Sequence, residues 1–148
     1  MLRFNSDHKF KIMQIADTQE IPAVSPDTLS LINNALDREK PDLVIFTGDQ
    51  IKGYSKKFKK DPAIIEGTID TLVEPIAKRN IPFMVTYGNH DAQCGVDNRG
   101  QYKFYAKYDN FISGDLRNAD DVGTADIQIY SSTEDKPVFE LYLSLIHI

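Results

Sequence analysis

The sequence predicts an α/β fold, a βαβαβ layered sandwich built on a parallel sheet core. Three short apolar runs, each followed directly by polar residues, indicate strands. Two longer segments with helix-start signals and apolar residues at helical spacing separate these runs. Strands that alternate with helices favour parallel pairing with right-handed crossovers, so the helices should cover the faces of the sheet.

The first and second predicted strands cover residues 11–16 and 42–47, and both are interpreted as buried strands. The helix between them is predicted over residues 26–40. Ser25 supplies an N-cap hydroxyl there, and Pro26 occupies the first helical position.

The second helix is predicted over residues 62–79 and leads into a third strand over residues 81–86. Asp61 and Pro62 repeat the pattern of a capping residue followed by proline. Pro75 lies inside this helix and should kink its last turns, because proline removes one backbone donor.

The remaining segments give weaker signals. Residues 51–60 carry five lysines and predict an exposed loop, for which a solvated surface is favoured over the steering of an anionic substrate. Residues 93–100 are interpreted as a loop. Aromatic residues over 102–111 predict a helix that covers the core rather than a base-stacking platform. Two further strands are predicted over 127–130 and 138–145.

Composition excludes several classes of protein. The chain has 148 residues, of which 41% are hydrophobic and 26% are charged, which is typical of one ordinary globular domain. The lack of a run of about 18 apolar residues argues against a membrane partner. No secretory signal is recognised at the N-terminus, so a cytoplasmic location is expected.

Charge and cysteine content limit the partners. A formal net charge of −5 argues against nucleic acid as a bulk partner, because its phosphate backbone would be repelled. A small phosphorylated substrate is compatible with this net charge if a local site supplies positive charge. The single Cys94 excludes an internal disulfide and is expected to be a small loop side chain. The oligomeric state is left open.

Polar clusters follow each of the three predicted strands at the point where the strand ends. They are Asp17 with Gln19, Gly48-Asp49, and Gly88-Asn89-His90-Asp91. The carboxyl ends of parallel strands meet along one rim of a sheet, where ligands bind, so these side chains should converge. Carboxylate and amide oxygens with an imidazole suit hard or borderline divalent ions, and a pair of such ions can clamp a phosphoryl group.

At these residues the sequence resembles the calcineurin-like metallophosphoesterase family, whose motifs are Asp-x-His, Gly-Asp and Gly-Asn-His-Asp. The resemblance covers about residues 10–95. It implies that Asp17 ligates a first metal, that Asp49 bridges two metals and that Asn89 ligates the second. His90 then contacts the phosphoryl oxygens or protonates the leaving group, and Asp91 orients the His90 ring. The implied cofactors are two divalent ions of manganese, magnesium, iron or zinc.

The resemblance implies a phosphoesterase that hydrolyses phosphomonoesters or phosphodiesters with a hydroxide held between two metals. The alternative is an inactive, metal-binding remnant of such a domain, and whether the residues present suffice for turnover is left open. A nucleotide-binding Rossmann-type module is disfavoured because no glycine-rich loop follows the first strand.

Two departures from the family pattern matter. Gln19 stands where the family has histidine, which should weaken the first metal site or shift it toward manganese or magnesium. Glu20 could supply a carboxylate instead. The family's downstream Gly-His-x-His motif is also missing, and His147 is interpreted as part of an apolar strand or terminus. Residues 1–148 are therefore expected to form the N-terminal portion of a single domain, apparently truncated.

Overall fold

The computed structural model describes residues 1–113 and 122–144 and confirms the predicted α/β class with a parallel sheet. The elements follow the chain in this order: β1 (Leu2–Arg3), β2 (Ile12–Ile15), α1 (Pro26–Glu39), β3 (Leu43–Thr47), α2 (Pro62–Ala77), β4 (Phe83–Thr86), α3 (Asn98–Ala106), β5 (Ala125–Tyr130) and β6 (Pro137–Leu143). Each predicted strand and helix within the described residues has an observed counterpart. Residue 145 and His147 lie outside the described residues.

The main sheet has the order β2-β3-β4, and all its strands are parallel. Ile15 pairs with Phe46, which in turn pairs with Val85. The prediction that the first strand is buried is wrong, because the residues of β2 alternate between exposed and half-buried and Ile12 is 40% exposed. Strands β3 and β4 are buried, as was expected of all three strands.

A second sheet has the order β1-β5-β6. Leu2 pairs in parallel with Ile129 across most of the chain, whereas β5 and β6 form an antiparallel pair. Strand β1 was not predicted, because two residues show no periodicity on their own.

Strand β3 contributes to both faces of the main sheet. Val44 and Phe46 belong to a core shared with the helices, whereas Leu43 and Ile45 belong to a core shared with β5 and β6. Alternation of side chains along a strand explains this division. The molecule is thus a layer of helices, the parallel sheet and the second sheet, with the main sheet in the middle.

The helix starts are as the sequence predicts. The backbone N–H of Asp27 donates to Ser25 Oγ at 3.3 Å, and that of Ala63 donates to Asp61 Oδ1 at 2.9 Å. Helix α2 contains Pro75 and ends at Ala77, two residues before the predicted end. No helix among the described residues has the length and apolar character that a membrane crossing requires.

The lysine-rich segment is only partly the exposed loop that was predicted. Lys56, Lys59 and Lys60 are exposed, but Ile51 and Phe58 are almost completely buried and anchor the segment to the core. A short 3₁₀ helix spans Lys56–Phe58. Buried Cys94 likewise packs in the core, at the end of the 3₁₀ helix Asp91–Cys94 that replaces the start of the expected loop. Aromatic residues of the α3 region pack against the same core, as predicted.

Candidate functional site

The loops that follow β2 and β3 stay paired beyond the ends of their strands. The backbone N–H of Asp17 donates to the carbonyl of Gly48, and that of Gln19 donates to the carbonyl of Asp49, both at 3.1 Å. Paired backbone groups of this kind fix two loops relative to each other. Asp17 and Asp49 are therefore held on neighbouring segments at one rim of the main sheet.

The loops that follow β3 and β4 touch through two glycines. A Cβ atom on Gly48 would lie 2.3 Å from the backbone nitrogen of Gly88, and a Cβ atom on Gly88 would lie 2.2 Å from Asp49 Oδ1. Neither approach is compatible with a side chain. Gly48 also has a φ of 101°, a conformation that glycine adopts at little cost. These glycines let the third loop close onto the second.

A cavity of about 470 Å³ opens at this rim and brings together three of the predicted metal ligands, Asp17, Asp49 and Asn89. Asp49 is 8% exposed, whereas Asp17 and Asn89 lie at the surface. Thr86 also lines the cavity, and its buried hydroxyl has no hydrogen-bond partner within the described part of the chain. Gln19 and His90 do not line it.

Three site residues adopt left-handed backbone conformations. Their φ angles are 52° for Asp17, 48° for Gln19 and 53° for Asp49. Such positions cost on the order of 1–3 kcal/mol each for residues other than glycine, although aspartate tolerates them better than most residues. Backbone strain of this kind is found at functional sites, and among the described residues six other non-glycine positions also have a positive φ.

Asp91 has contacts different from those expected. Its carboxylate is 2% exposed and accepts the backbone N–H groups of Asp49 at 2.7 Å, Gly88 at 2.8 Å and Gln50 at 3.1 Å. Burial raises the pKa of the Asp91 carboxyl, and the backbone donors oppose that shift. The structure thus corrects the expectation that Asp91 orients the His90 ring: Asp91 joins the second loop to the third.

His90 is positioned by groups that sequence reasoning missed. Its backbone N–H donates to Asp49 Oδ1 at 2.8 Å, its ring Nδ1 lies 3.1 Å from Gln93 Oε1, and its ring packs against Tyr54 with centroids 4.9 Å apart. The spacing of three residues between His90 and Gln93 was a usable signal, because one turn of helix brings such residues together. No comparable signal pointed to Tyr54.

Glu20 does not take the ligand role considered for it. Its buried carboxylate accepts the backbone N–H of Ser25 at 3.1 Å and the hydroxyl of Thr28. It therefore stabilises the start of α1, where unpaired donors favour an acid. Gln50 is also structural, since its buried amide donates to the carbonyls of Ile15 and Gly48 at the ends of β2 and β3.

The donor set fits a divalent ion in part. Asp17, Asp49 and Asn89 offer two carboxylates and one carboxamide, an all-oxygen set that suits magnesium or manganese better than zinc. Over residues 1–113 and 122–144, no group of three or more His, Cys, Asp and Glu side chains is arranged to hold a metal. The described residues thus offer oxygen donors at the rim but no larger cluster of metal-ligating side chains.

Several proteins resemble this chain. A protein named "Probable inactive purple acid phosphatase 14" from Arabidopsis thaliana is 28% identical over 128 residues, which cover 76% of this chain and 31% of that protein. "Phosphatase DCR2" from Saccharomyces cerevisiae is 32% identical over 105 residues, which cover 61% of this chain and 17% of that protein. "Probable inactive purple acid phosphatase 29" from A. thaliana is 26% identical in a gapped alignment of 166 positions, which covers 95% of this chain and 41% of that protein.

The chain thus spans less than half of the length of each of these relatives. The family model described as calcineurin-like phosphoesterase matches residues 10–144, which include every loop of the site. Members of that family typically use divalent metal ions, in agreement with the oxygen donors at the rim. With this match over most of its length, the chain belongs to the calcineurin-like phosphoesterase family.

Proposed function

We propose that the rim site binds divalent ions and serves the hydrolysis of phosphoric monoesters or diesters of a small substrate. One observation carries the proposal: the carboxylates of Asp17 and Asp49 and the carboxamide of Asn89 line one cavity at the carboxyl ends of parallel strands. Ligands of open α/β sheets bind at that edge. Membership of the family supports the class of reaction.

Each ligand has a proposed place. Asp17 would hold a first ion and Asn89 a second, and Asp49, which lines the same cavity, would serve both ions. Bound divalent ions would polarise the phosphoryl oxygens and lower the pKa of a water molecule. The oxygen-only set favours manganese or magnesium over iron or zinc, and Gln19 adds no imidazole to it.

His90 is the proposed acid and phosphoryl-binding group. Gln93 engages ring Nδ1, so Nε2 is the nitrogen available to a phosphoryl oxygen or to the leaving group. The hydrogen bond from the His90 backbone to Asp49 couples the position of the ring to the metal ligand. Asp91 supports both residues indirectly by holding the backbone of their loops.

Binding without turnover is the second candidate. It is favoured by the lack of a third acidic or imidazole ligand within the described residues and by the carboxamide of Gln19 in place of the family's histidine. Two of the relatives described above carry names that include the word inactive. The proposed metal site is common to both candidates.

The two candidates are separated by measuring metal content and hydrolysis on the same samples. The purified chain is dialysed against manganese and analysed for metal, and release of nitrophenol from 4-nitrophenyl phosphate and from its diester is followed. Asp49→Asn keeps an acceptor for the His90 N–H but removes the charge, so bound manganese and hydrolysis should both be lost. Asp109→Asn, at an exposed position, is the matched control.

The outcomes are distinct. Manganese bound through Asp49 with metal-dependent hydrolysis supports the phosphoesterase, and manganese bound without hydrolysis supports the second candidate. Manganese content that Asp49→Asn leaves unchanged contradicts both candidates.

A further inference from the structure

We propose that a lysine-lined pocket beside His90 binds a second phosphoryl group of the substrate. This basic pocket, of about 260 Å³, is lined by Lys56, Lys59 and Lys60 together with Tyr54 and Gln93. The proposal rests on the proposed function for the phosphoryl group that is cleaved. It adds the substrate class, a small molecule with two phosphoryl groups.

Within the part of the chain that the structure describes, no acidic side chain pairs with the lysines of the basic pocket. Lys56, Lys59 and Lys60 form no ion pair with any described residue, whereas Lys107 pairs with both Glu66 and Asp70. The adjacent acid, Asp61, directs its carboxylate to the backbone N–H of Ala63 at the start of α2. Uncompensated charge of one sign in a concave surface attracts anions.

His90 connects the basic pocket to the rim cavity. Its backbone N–H is bound to Asp49, which lines the rim cavity. Its ring contacts Tyr54 and Gln93, which line the basic pocket. A substrate whose reacting phosphoryl group lies at the rim therefore has the basic pocket next to the proposed acid.

The size of the basic pocket fits one phosphoryl group better than a whole small molecule. Its volume of about 260 Å³ lies below the roughly 300–1,000 Å³ of pockets that enclose complete small molecules. Lysine ammonium groups bind phosphate as point charges and can share one dianion among several donors.

The backbone that carries these lysines is anchored next to the core. Lys59 and Lys60 have φ angles of 55° and 54°, and the Lys60 stem packs about 3.0 Å from where a Cβ atom on Gly95 would lie. Phe58, the residue before Lys59, is buried in the core. Positions fixed in advance reduce the entropy lost when an anion binds.

Binding is tested first without metal. Protein treated with a chelator is titrated with inorganic phosphate at low salt, and the backbone amide signals of residues 52–60 are followed by NMR. The double variant Lys59→Gln/Lys60→Gln should weaken phosphate binding by about tenfold or more, because it removes two of the three charges. Glutamine keeps the carbons through which Lys60 packs on Gly95, so the fold is preserved.

Two further variants make this test decisive. Lys57→Gln removes one charge from the same loop, but Lys57 does not line the basic pocket. This variant should therefore weaken phosphate binding by no more than about twofold, through the loss of long-range electrostatic attraction. Lys59→Arg/Lys60→Arg keeps both charges and should retain binding. Equal losses in Lys57→Gln and in the double glutamine variant, or phosphate binding that depends on Asp49 alone, would overturn the proposal.

Kinetics then address the substrate class. Alkanediol bisphosphates of increasing chain length are compared with the matching monophosphates under manganese. One length should be preferred, and the double glutamine variant should reduce the ratio of kcat/KM between that bisphosphate and its monophosphate by about tenfold. A ratio that the variant leaves unchanged contradicts the second subsite. If no phosphate ester is hydrolysed, the proposed function fails, and the metal-free titration still decides whether the basic pocket binds phosphate.

Discussion

Replacing Asp91 with asparagine tests whether its carboxylate joins the second and third loops of the rim. Oδ2 accepts the N–H groups of Asp49 and Gly88, and Oδ1 accepts that of Gln50. Asparagine has one carbonyl oxygen, so at best it keeps the first pair and turns its own N–H toward the N–H of Gln50. An unsatisfied buried donor costs about 1–3 kcal/mol, and the remaining bonds lose their charge assistance. We expect Asp91→Asn to lower the free energy of unfolding by roughly 2–4 kcal/mol.

Urea denaturation followed by circular dichroism measures this effect. With a slope of about 2 kcal/mol per molar urea, the expected loss shifts the midpoint down by roughly 1–2 M. The exposed Asp109→Asn is the control and should change stability by less than about 0.5 kcal/mol. An equally small change for Asp91→Asn, combined with a loss of turnover, would refute this reasoning and restore the view that Asp91 acts on the His90 ring.

Four other substitutions give measurable outcomes. Gly88→Ala should destabilise the protein by about 1–3 kcal/mol, because the new Cβ would lie 2.2 Å from Asp49 Oδ1. Gly67→Ala should instead stabilise the protein by about 0.5–1 kcal/mol, because Gly67 lies in helix α2 and a Cβ there meets nothing within 4 Å. The urea midpoints of the two variants measure both effects. Gln19→His should tighten zinc binding by roughly tenfold in equilibrium dialysis if residue 19 can reach the ion, and unchanged binding would show that it stays outside the cavity. His90→Ala should lower kcat for aryl phosphates by about 10²–10⁴ at unchanged manganese content, and simultaneous loss of metal would indicate a role in binding the ion.

Local signals explain the parts of the fold that the sequence predicted. Capping residues and proline marked the starts of α1 and α2 to the residue, because these contacts lie within a few positions of each other. The predicted ends of the two helices matched the structure less closely than their predicted starts. The short strand β1 and its pairing with β5 were missed, since the pairing depends on residues 127 positions apart in the chain.

The site shows the same division between local and distant contacts. Placing Asp17, Asp49 and Asn89 at one rim required only the rule that parallel strands end together, and the structure gathers them in one cavity. The role of Asp91 could not be found in this way. The family resemblance implied His90 as its partner, whereas its carboxylate oxygens accept backbone N–H groups of the Asp49 loop, more than 40 residues away.

The left-handed conformations of Asp17, Gln19 and Asp49 have a practical consequence for protein engineering. Glycine relaxes such a backbone, and asparagine fits it at least as well as aspartate. A library screened only for thermal stability would therefore enrich substitutions at these positions and erase the carboxylates at the rim. Directed evolution of this chain should fix positions 17 and 49, or apply a metal-binding selection in every round, so that stability is not gained at the expense of the site.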